Sequence, residues 1–225
     1  MSRIRRDVIT LALFLISSTP LARAQDLTSF EKRITLKTLE NGLTVLVCER
    51  PEAPVFSFFT HVDVGSDREA PGITGLAHMF EHMAFKGTDK IGTTNYAEEK
   101  KALEKMEEAY HAYDLERRKE VGRDETKVAE LEKNWKDAIA AAQKFVVENQ
   151  FGQIVEQAGG KGLNAFTNSE ETGYHYSFPS NQIELWAYLD SERFLHPVLR
   201  EFYKERDVVH EERRFGGKRS LWALD

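Results

Sequence analysis

The segment with the clearest chemistry is Gly75-Leu76-Ala77-His78-Met79-Phe80-Glu81-His82-Met83, which contains the pattern His-x-x-Glu-His. Helix residues four apart share a face, with Cβ atoms about 5–6 Å apart. A helix here would therefore present His78 and His82 to one zinc ion, with Glu81 beside it as a general base for bound water. A catalytic zinc takes three protein ligands, so a third is predicted elsewhere. The alternative is a helix with two incidental histidines, since the chain has seven.

The His-x-x-Glu-His helix belongs to a longer segment, Gly75-Leu-Ala-His-Met-Phe-Glu-His-Met-Ala-Phe-Lys-Gly-Thr88, and three other segments accompany it. These are Gly65-Ser66 with Glu69, Leu163-Asn-Ala-Phe-Thr167 with Thr172 and Tyr174, and Glu205-Arg-Asp-Val-Val-His-Glu-Glu212. Together the four segments resemble the pitrilysin or insulinase family of inverzincin metallopeptidases, which includes mitochondrial processing peptidase, and the first is similar to the family's signature helix. The resemblance covers roughly residues 34–98 and 151–215.

The last segment is expected to supply the third ligand. Glu205 and Glu212 are seven residues apart, almost two helical turns, and so share a face. Glu211 points about 100° away from Glu212. The resemblance implies that zinc is the cofactor, that His78, His82 and Glu212 bind it, and that Glu205 is an acidic partner behind the ligands. Glu211 is interpreted as a charged residue on an exposed helix.

The segment from Leu163 to Thr167 resembles the family's substrate strand. In the family, this strand is a sheet edge to which an extended peptide adds as another strand, with affinity from backbone hydrogen bonds. The resemblance implies a peptide or unfolded polypeptide as substrate. The alternative interpretation of Asn164 is that it is an ordinary residue beside a turn, without a role in substrate binding. The implied substrate-binding residues are Asn164, Ala165, Phe166 and Thr167.

Around these segments, the sequence predicts an α+β fold in which a mostly antiparallel sheet packs against helices, as in a processing-peptidase half-domain. Asn41-Gly42 between two β-rich runs predicts a hairpin over residues 33–49. A strand is predicted over Val55 to Val64, and Gly87-Thr88 is expected to close the metal-binding helix. Two later helices are predicted over 181–199 and 201–214, separated near Pro197.

An antiparallel helical hairpin is predicted as an insertion at about residues 96–150. Apolar residues recur there at helical spacing, and Gly122 interrupts them, as in a short coiled coil. His82 and Glu212 are 130 residues apart (212 minus 82), beyond the family's usual interval, and the excess is about the length of this hairpin. The hairpin is interpreted as a spacer; the alternative is a surface for partner docking or substrate gating.

The first 24 residues are predicted to be a cleaved signal peptide. Three arginines precede a short apolar run, and Ala22-Arg23-Ala24 offers a cleavage site. The apolar run is shorter than the roughly 20 residues of a membrane span, although an uncleaved anchor is the alternative. The predicted mature domain is therefore residues 25–225, periplasmic or secreted, without a later membrane span.

The charge argues against a nucleic-acid-binding protein, and the cysteine content excludes an internal disulfide. The chain carries 31 Lys and Arg against 37 Asp and Glu, a net charge of −6 without clustering, which argues against a nucleic-acid partner. Cys48 is the only cysteine, so an internal disulfide is excluded, and its apolar surroundings predict a core residue. The remaining histidines have no partner at ligand spacing and are expected at the surface or in the core: His61, His111, His175, His196 and His210.

The predicted function is a zinc endopeptidase in which Glu81 activates water for attack on a peptide carbonyl. Two alternatives stay open, a non-catalytic subunit of the same family and a helical-hairpin interaction protein with a structural metal. The family closes its active chamber with a second homologous domain, and this sequence contains no second copy of the pattern. The chain is therefore expected to be incomplete at its C-terminal end, or to need a homologous second domain or partner chain.

Overall fold

The computed structural model describes residues 31–222, with side chains described up to residue 215. The predicted signal peptide and its cleavage site lie outside these residues. The chain divides into two units, Met1–Ala53 and Pro54–Asp225. Within the described range, none of the helices combines the length and apolar character that a membrane span requires.

In the first unit, the described residues form the predicted β-hairpin. Strands β1 (Ile34–Thr38) and β2 (Thr44–Cys48) pair antiparallel, and Thr38 lies opposite Thr44. Gly42 has φ of +87° in the turn, a conformation that L side chains rarely adopt. The Asn-Gly signal is therefore confirmed. Cys48 is half-buried rather than enclosed in a core.

The second unit contains a three-stranded antiparallel sheet with the order β3-β5-β4. Its strands are β3 (Val55–Val62), β4 (Lys161–Thr167) and β5 (Thr172–Pro179). Thr172 and Tyr174, grouped with the substrate strand in the sequence, lie on the neighbouring strand. The turn between β4 and β5 explains the separation, because the Asn168 side chain accepts hydrogen bonds from the N–H groups of Glu170 and Glu171.

Among the described residues, six α-helices complete the second unit and give the mixed α+β architecture that the sequence predicts. The long pair α2 and α3 forms the predicted helical hairpin, with Gly122 between its helices at φ of +71°. Helix α4 was not predicted from the sequence. The helices are α1 (Leu76–Met83), α2 (Tyr96–Arg117), α3 (Glu125–Gln143), α4 (Gln150–Gln157), α5 (Ile183–Leu195) and α6 (Phe202–Trp222).

The main hydrophobic core lies between the sheet and helices α4 and α5. Strand β5 contributes Tyr176 and Phe178, α4 contributes Phe151 and Val155, and α5 contributes Leu189, all almost fully buried. Burying a large apolar side chain stabilises a fold by about 1.5–3 kcal/mol. The central strand β5 therefore has one defined face packed against the helices. Because β4 pairs with β5, the orientation of this edge strand is defined as well.

Helix α1 begins at an unusual cap. Gly75 has φ of +103°, and the Glu69 carboxylate accepts hydrogen bonds from the backbone N–H groups of Gly75 (2.6 Å) and Ala77 (2.8 Å). Desolvation acts to raise the pKa of Glu69, but these N–H groups outweigh it and hold that pKa below its usual value. The helix ends at Met83, before the predicted stop at Gly87-Thr88.

Candidate metal centre and active site

Helix α1 presents its two histidines to one point, as the four-residue spacing predicts. His78 Nε2 lies 3.2 Å from His82 Nε2, and the two rings are nearly perpendicular, with an interplanar angle of 77°. Helix α6 brings Glu212 to the same place. Its Oε2 atom lies 3.3 Å from His78 Nε2 and 3.6 Å from His82 Nε2.

These three atoms have the spacing of zinc ligands. A tetrahedral site with bonds of about 2.0–2.1 Å has ligand-to-ligand distances of roughly 3.3–3.4 Å. The three observed separations bracket this value. In the part of the chain that the structure describes, His78, His82 and Glu212 are the one group of three potential ligands that converges in this way. The donor set of two imidazoles and one carboxylate also suits zinc.

Glu205 fixes the orientation of the His82 ring. Its Oε2 atom lies 3.1 Å from His82 Nδ1, so the proton on Nδ1 can be donated to the carboxylate and the Nε2 lone pair faces Glu212 and His78. Lys86 Nζ lies 2.6 Å from the other oxygen of Glu205. Burial acts to raise the pKa of the Glu205 carboxyl, but hydrogen bonds from Lys86 and His82 outweigh it and lower that pKa.

Glu81 lies in a buried position with a defined hydrogen-bond donor. The Thr167 hydroxyl donates to Glu81 Oε2 over 2.6 Å. Thr167 itself lies 3.3 Å from the Thr172 hydroxyl, which donates to the carbonyl of Val64. A chain of hydroxyls from strands β4 and β5 thus holds one carboxylate oxygen of Glu81 in place.

Strand β4 is an edge of the three-stranded sheet among the described residues. Its residues alternate between the two faces of the sheet. Ala165 and Thr167 are half-buried, whereas Asn164 and Phe166 are exposed. The Phe166 ring stacks at 6.0 Å on Phe59 of β3. The four predicted substrate-binding residues therefore divide between the two faces of an edge strand, and Thr167 also contacts Glu81.

The remaining candidates lie apart from the centre. Glu211 forms an ion pair of 2.7 Å with Arg214 on its own helix and is not part of the converging group of His78, His82 and Glu212. His61 Nε2 lies 2.8 Å from Glu171, and His196 lies 3.4 Å from Glu192.

Sequence reasoning missed the part of Lys86 in this site. It also missed Thr167 as a partner of Glu81. Lys86 belongs to the Phe85-Lys86-Gly87-Thr88 end of the quoted segment, but nothing in the local pattern shows a pairing with Glu205, which is 119 residues later (205 minus 86).

The fold and the site together define an α+β domain with an inverted zincin motif and a carboxylate from a second helix. Residues 44–116 match the family described as Insulinase (Peptidase family M16). The resemblance to the pitrilysin or insulinase family that the sequence indicates is therefore confirmed. The match includes the whole of the His-x-x-Glu-His helix.

Three relatives with similar sequences are named as proteolytic enzymes or their subunits. The human insulin-degrading enzyme is 24% identical over 188 residues, which cover 83% of this chain and 13% of that enzyme. An uncharacterized zinc protease of Rickettsia bellii is 39% identical over 69 residues, covering 31% of this chain and 17% of the relative. The beta subunit of the mitochondrial-processing peptidase of Lentinula edodes is 44% identical over 55 residues, or 24% of this chain and 12% of the subunit. The chain thus spans a small part of each relative.

Two solved structures share the fold. A protease from Helicobacter pylori aligns with a TM-score of 0.51 and 24% identity, over 81% of this chain and 31% of the protease chain. The first half of the periplasmic protease PqqL from Escherichia coli aligns with a TM-score of 0.50 and 20% identity, over 81% of this chain and 29% of the other. At these identities the likeness concerns the fold alone.

Proposed function

We propose that this chain is the zinc-binding part of a metalloendopeptidase that hydrolyses peptide bonds in extended polypeptides. The observation that carries the proposal is the convergence of His78, His82 and Glu212 at separations of 3.2–3.6 Å. These residues would hold the zinc. A bound zinc would polarise the carbonyl of the substrate peptide and lower the pKa of a bound water to about 7.

Glu81 is the proposed general base. The Thr167 hydrogen bond occupies Oε2, so the proton of the attacking water would be accepted at Oε1. Because the hydrogen bond keeps the carboxylate from rotating, the basic oxygen stays in one position. The buried position of Glu81 also reduces competition from bulk water for its lone pairs.

The proposed substrate site is the edge of strand β4. An added peptide strand would form backbone hydrogen bonds along Asn164, Ala165 and Phe166, where alternate residues direct their N–H and C=O groups to the free edge, beside the carboxylate that would accept the proton. This mode of binding requires an extended chain and reads little of its sequence. It supports a preference for unfolded polypeptides.

Export and a second half of the active chamber are further parts of the proposal. The predicted signal peptide supports a periplasmic or secreted location, and one structural relative is a periplasmic protease. Because this chain spans 31% and 29% of the two structural relatives, we propose that a homologous second domain or partner chain completes the chamber.

The test combines metal binding with hydrolysis of a mixed library of unstructured peptides. The full chain is purified with zinc and assayed with a homologous second half. We expect zinc binding, and hydrolysis that a chelator abolishes. Glu81→Gln should retain zinc but lose hydrolysis by at least about 100-fold, because an amide cannot accept the proton of the water.

His78→Ala is the matched control, since it removes a ligand from the same helix and should lose both zinc and hydrolysis. The assignment fails if Glu81→Gln loses as much zinc as His78→Ala. A zinc-loaded chain that cleaves nothing with any second half would instead favour the non-catalytic subunit.

A further inference from the structure

The proposed ligands come from two helices that share a small direct contact. Helix α1 carries both histidines and α6 carries Glu212. Between the two helices, Met79 and Met83 pack on Val209 in a cluster of three buried residues. Glu205 of α6 adds a polar contact of 3.1 Å to His82 of α1. With so few contacts to α1, the position of Glu212 also depends on what else holds α6.

The helical hairpin packs on the first turn of α6. The Tyr203 ring lies 5.1 Å from the Trp135 ring and 4.6 Å from the Tyr110 ring, measured between centroids. Its hydroxyl donates to Glu107 over 3.0 Å. Met106, Trp135 and Tyr203 form one buried cluster, to which both helices of the hairpin contribute.

Polar contacts fix the residues that lead into α6. The Arg200 guanidinium is fully buried, and it donates to both oxygens of Glu99 in the first turn of α2, over 2.8 and 3.1 Å. Gln143, at the end of α3, donates to Glu201 over 2.9 Å. The hairpin thus holds the base of α6 from both of its helices.

The hairpin and the metal site lie on opposite sides of α6. Tyr203 and Glu212 are nine residues apart, which is two and a half turns and places them on opposite faces. Phe202, at the start of the helix, packs against both the hairpin cluster and the α1 cluster. Helix α6 is therefore packed between the hairpin on one side and helix α1, which carries the histidines, on the other.

A small tilt at the base of α6 would displace the ligand. Nine residues of helix span about 13.5 Å. A tilt of about 10° at Tyr203 would move Glu212 by roughly 2 Å, ten times the tolerance of about 0.2 Å for a metal–ligand distance. Near Glu212, the Arg213 side chain donates to the Thr74 hydroxyl over 2.8 Å, but both groups are exposed, and such a contact stabilises weakly.

We propose that the α2–α3 hairpin is a positioning element for the third ligand. It acts through Trp135 and Tyr203, which set the angle at which α6 delivers the Glu212 carboxylate to the two histidines. This inference rests on the proposed metal site. It replaces the interpretation of the hairpin as a spacer and predicts a coupling between the hairpin cluster and Glu212 in metal affinity.

A double-mutant cycle on the full chain tests the coupling. The zinc dissociation constant is measured by competition with a chromophoric chelator for four proteins: the unchanged chain, Trp135→Leu, Glu212→Gln and the double variant. We expect Trp135→Leu to weaken zinc binding roughly three- to tenfold in the unchanged background, and less than about twofold when Glu212 is already replaced. The two histidines still bind zinc in both Glu212→Gln proteins.

Two further variants separate positioning from loss of folding. Tyr203→Phe removes only the hydrogen bond to Glu107, so the fold is retained and a smaller weakening is expected, again dependent on Glu212. Glu116→Gln is the matched control, because it breaks ion pairs of 2.8 Å with Lys119 and 3.2 Å with Lys127 at the far end of the hairpin. Its zinc affinity should be unchanged.

The outcomes are distinct. Equal weakening by Trp135→Leu in both backgrounds, or no weakening in either, overturns the inference while leaving the metal site intact. If Trp135→Leu does not fold, an unchanged zinc affinity in folded Tyr203→Phe overturns it. An unchanged chain that binds no zinc overturns the proposed function itself.

Discussion

At the residue scale, the three proposed ligands differ in how firmly the protein holds them. The His82 side chain is 19% exposed and is fixed through Glu205, whereas 51% of the Glu212 side chain is exposed. The carboxylate of Glu212 thus depends on its helix for its position, because fewer neighbours surround it. This difference predicts which substitutions remove zinc and which merely weaken its binding.

Three substitutions along α6 test the assignment of the third ligand. We expect Glu212→Gln to weaken zinc binding by more than about 100-fold, and Glu205→Gln by roughly 10–100-fold through the orientation of His82. Glu211→Gln should change the zinc dissociation constant by less than about twofold, since Glu211 pairs with Arg214. Competition with a chelator measures all three. A largest effect from Glu211→Gln would show that the assigned face of the helix is wrong.

Glu201 provides stability that depends on pH. Burial acts to raise the pKa of its carboxyl, but Gln143, Lys204 and Lys86 outweigh burial and lower it from 4.5 to about 2. Such a group stabilises the fold fully above pH 4.5, and this stability is lost as the pH falls toward 2. We expect Glu201→Gln to lower the free energy of unfolding by about 1–3 kcal/mol at pH 7 and by much less near pH 2.

Urea unfolding at the two pH values measures this difference. Lys204→Met is a useful comparison, because it removes one cation from Glu201 while leaving Lys86 and Gln143 in place, and it should cost less than Glu201→Gln. An equal cost of Glu201→Gln at both pH values would mean that the lost contact, and not the charge, provides the stability.

At the scale of elements, the features read from local spacing agree with the structure. The Asn41-Gly42 turn follows from the left-handed conformation that Gly adopts readily. The two long helices around Gly122 and the shared face of Glu205 and Glu212 follow from the helical period of 3.6 residues. Helix α4 was missed although Phe151, Ile154, Val155 and Ala158 have helical spacing, because the segment is only two turns long and follows the predicted hairpin directly.

Contacts between distant residues could not be predicted in this way. The Glu99–Arg200 pair joins positions 101 residues apart, and the Thr167–Glu81 hydrogen bond joins positions 86 apart. A buried Arg and an exposed Arg look alike in one sequence, because burial is set by the packing of other elements. The sequence therefore predicted the hairpin itself but not the contacts that anchor it.

The anchoring predicts how much of the hairpin the domain needs. Replacing residues 117–131 with a short Gly-Ser link should leave the melting temperature and zinc affinity close to their starting values, because the Trp135 cluster is retained. Replacing residues 99–148 should abolish folding, since it exposes Tyr203 and leaves the Arg200 charge buried without Glu99. Thermal unfolding followed by circular dichroism distinguishes the two. Normal folding after the longer replacement would show that the hairpin is dispensable.

At the scale of the whole molecule, the chain is expected to bind zinc but to hydrolyse peptides poorly by itself. A donor that stabilises the developing oxyanion is worth about 2.7–4 kcal/mol, or roughly 100- to 1,000-fold in rate, and the proposed second half would supply such donors. Steady-state hydrolysis by this chain alone, compared with a mixture containing the second half, measures the difference. Full activity from the chain alone would contradict the need for a partner.

The exposed tip of the hairpin has a consequence for how the molecule could be divided. Val121 is 90% exposed, and the tip separates both histidines and Glu81 from Glu212 along the sequence. A cut between Val121 and Gly122 would leave α2 on one fragment and α3 on the other, with the proposed metal ligands divided between them. Zinc binding would then favour reassembly of the two fragments. The fraction of reassembled protein would therefore increase with the zinc concentration.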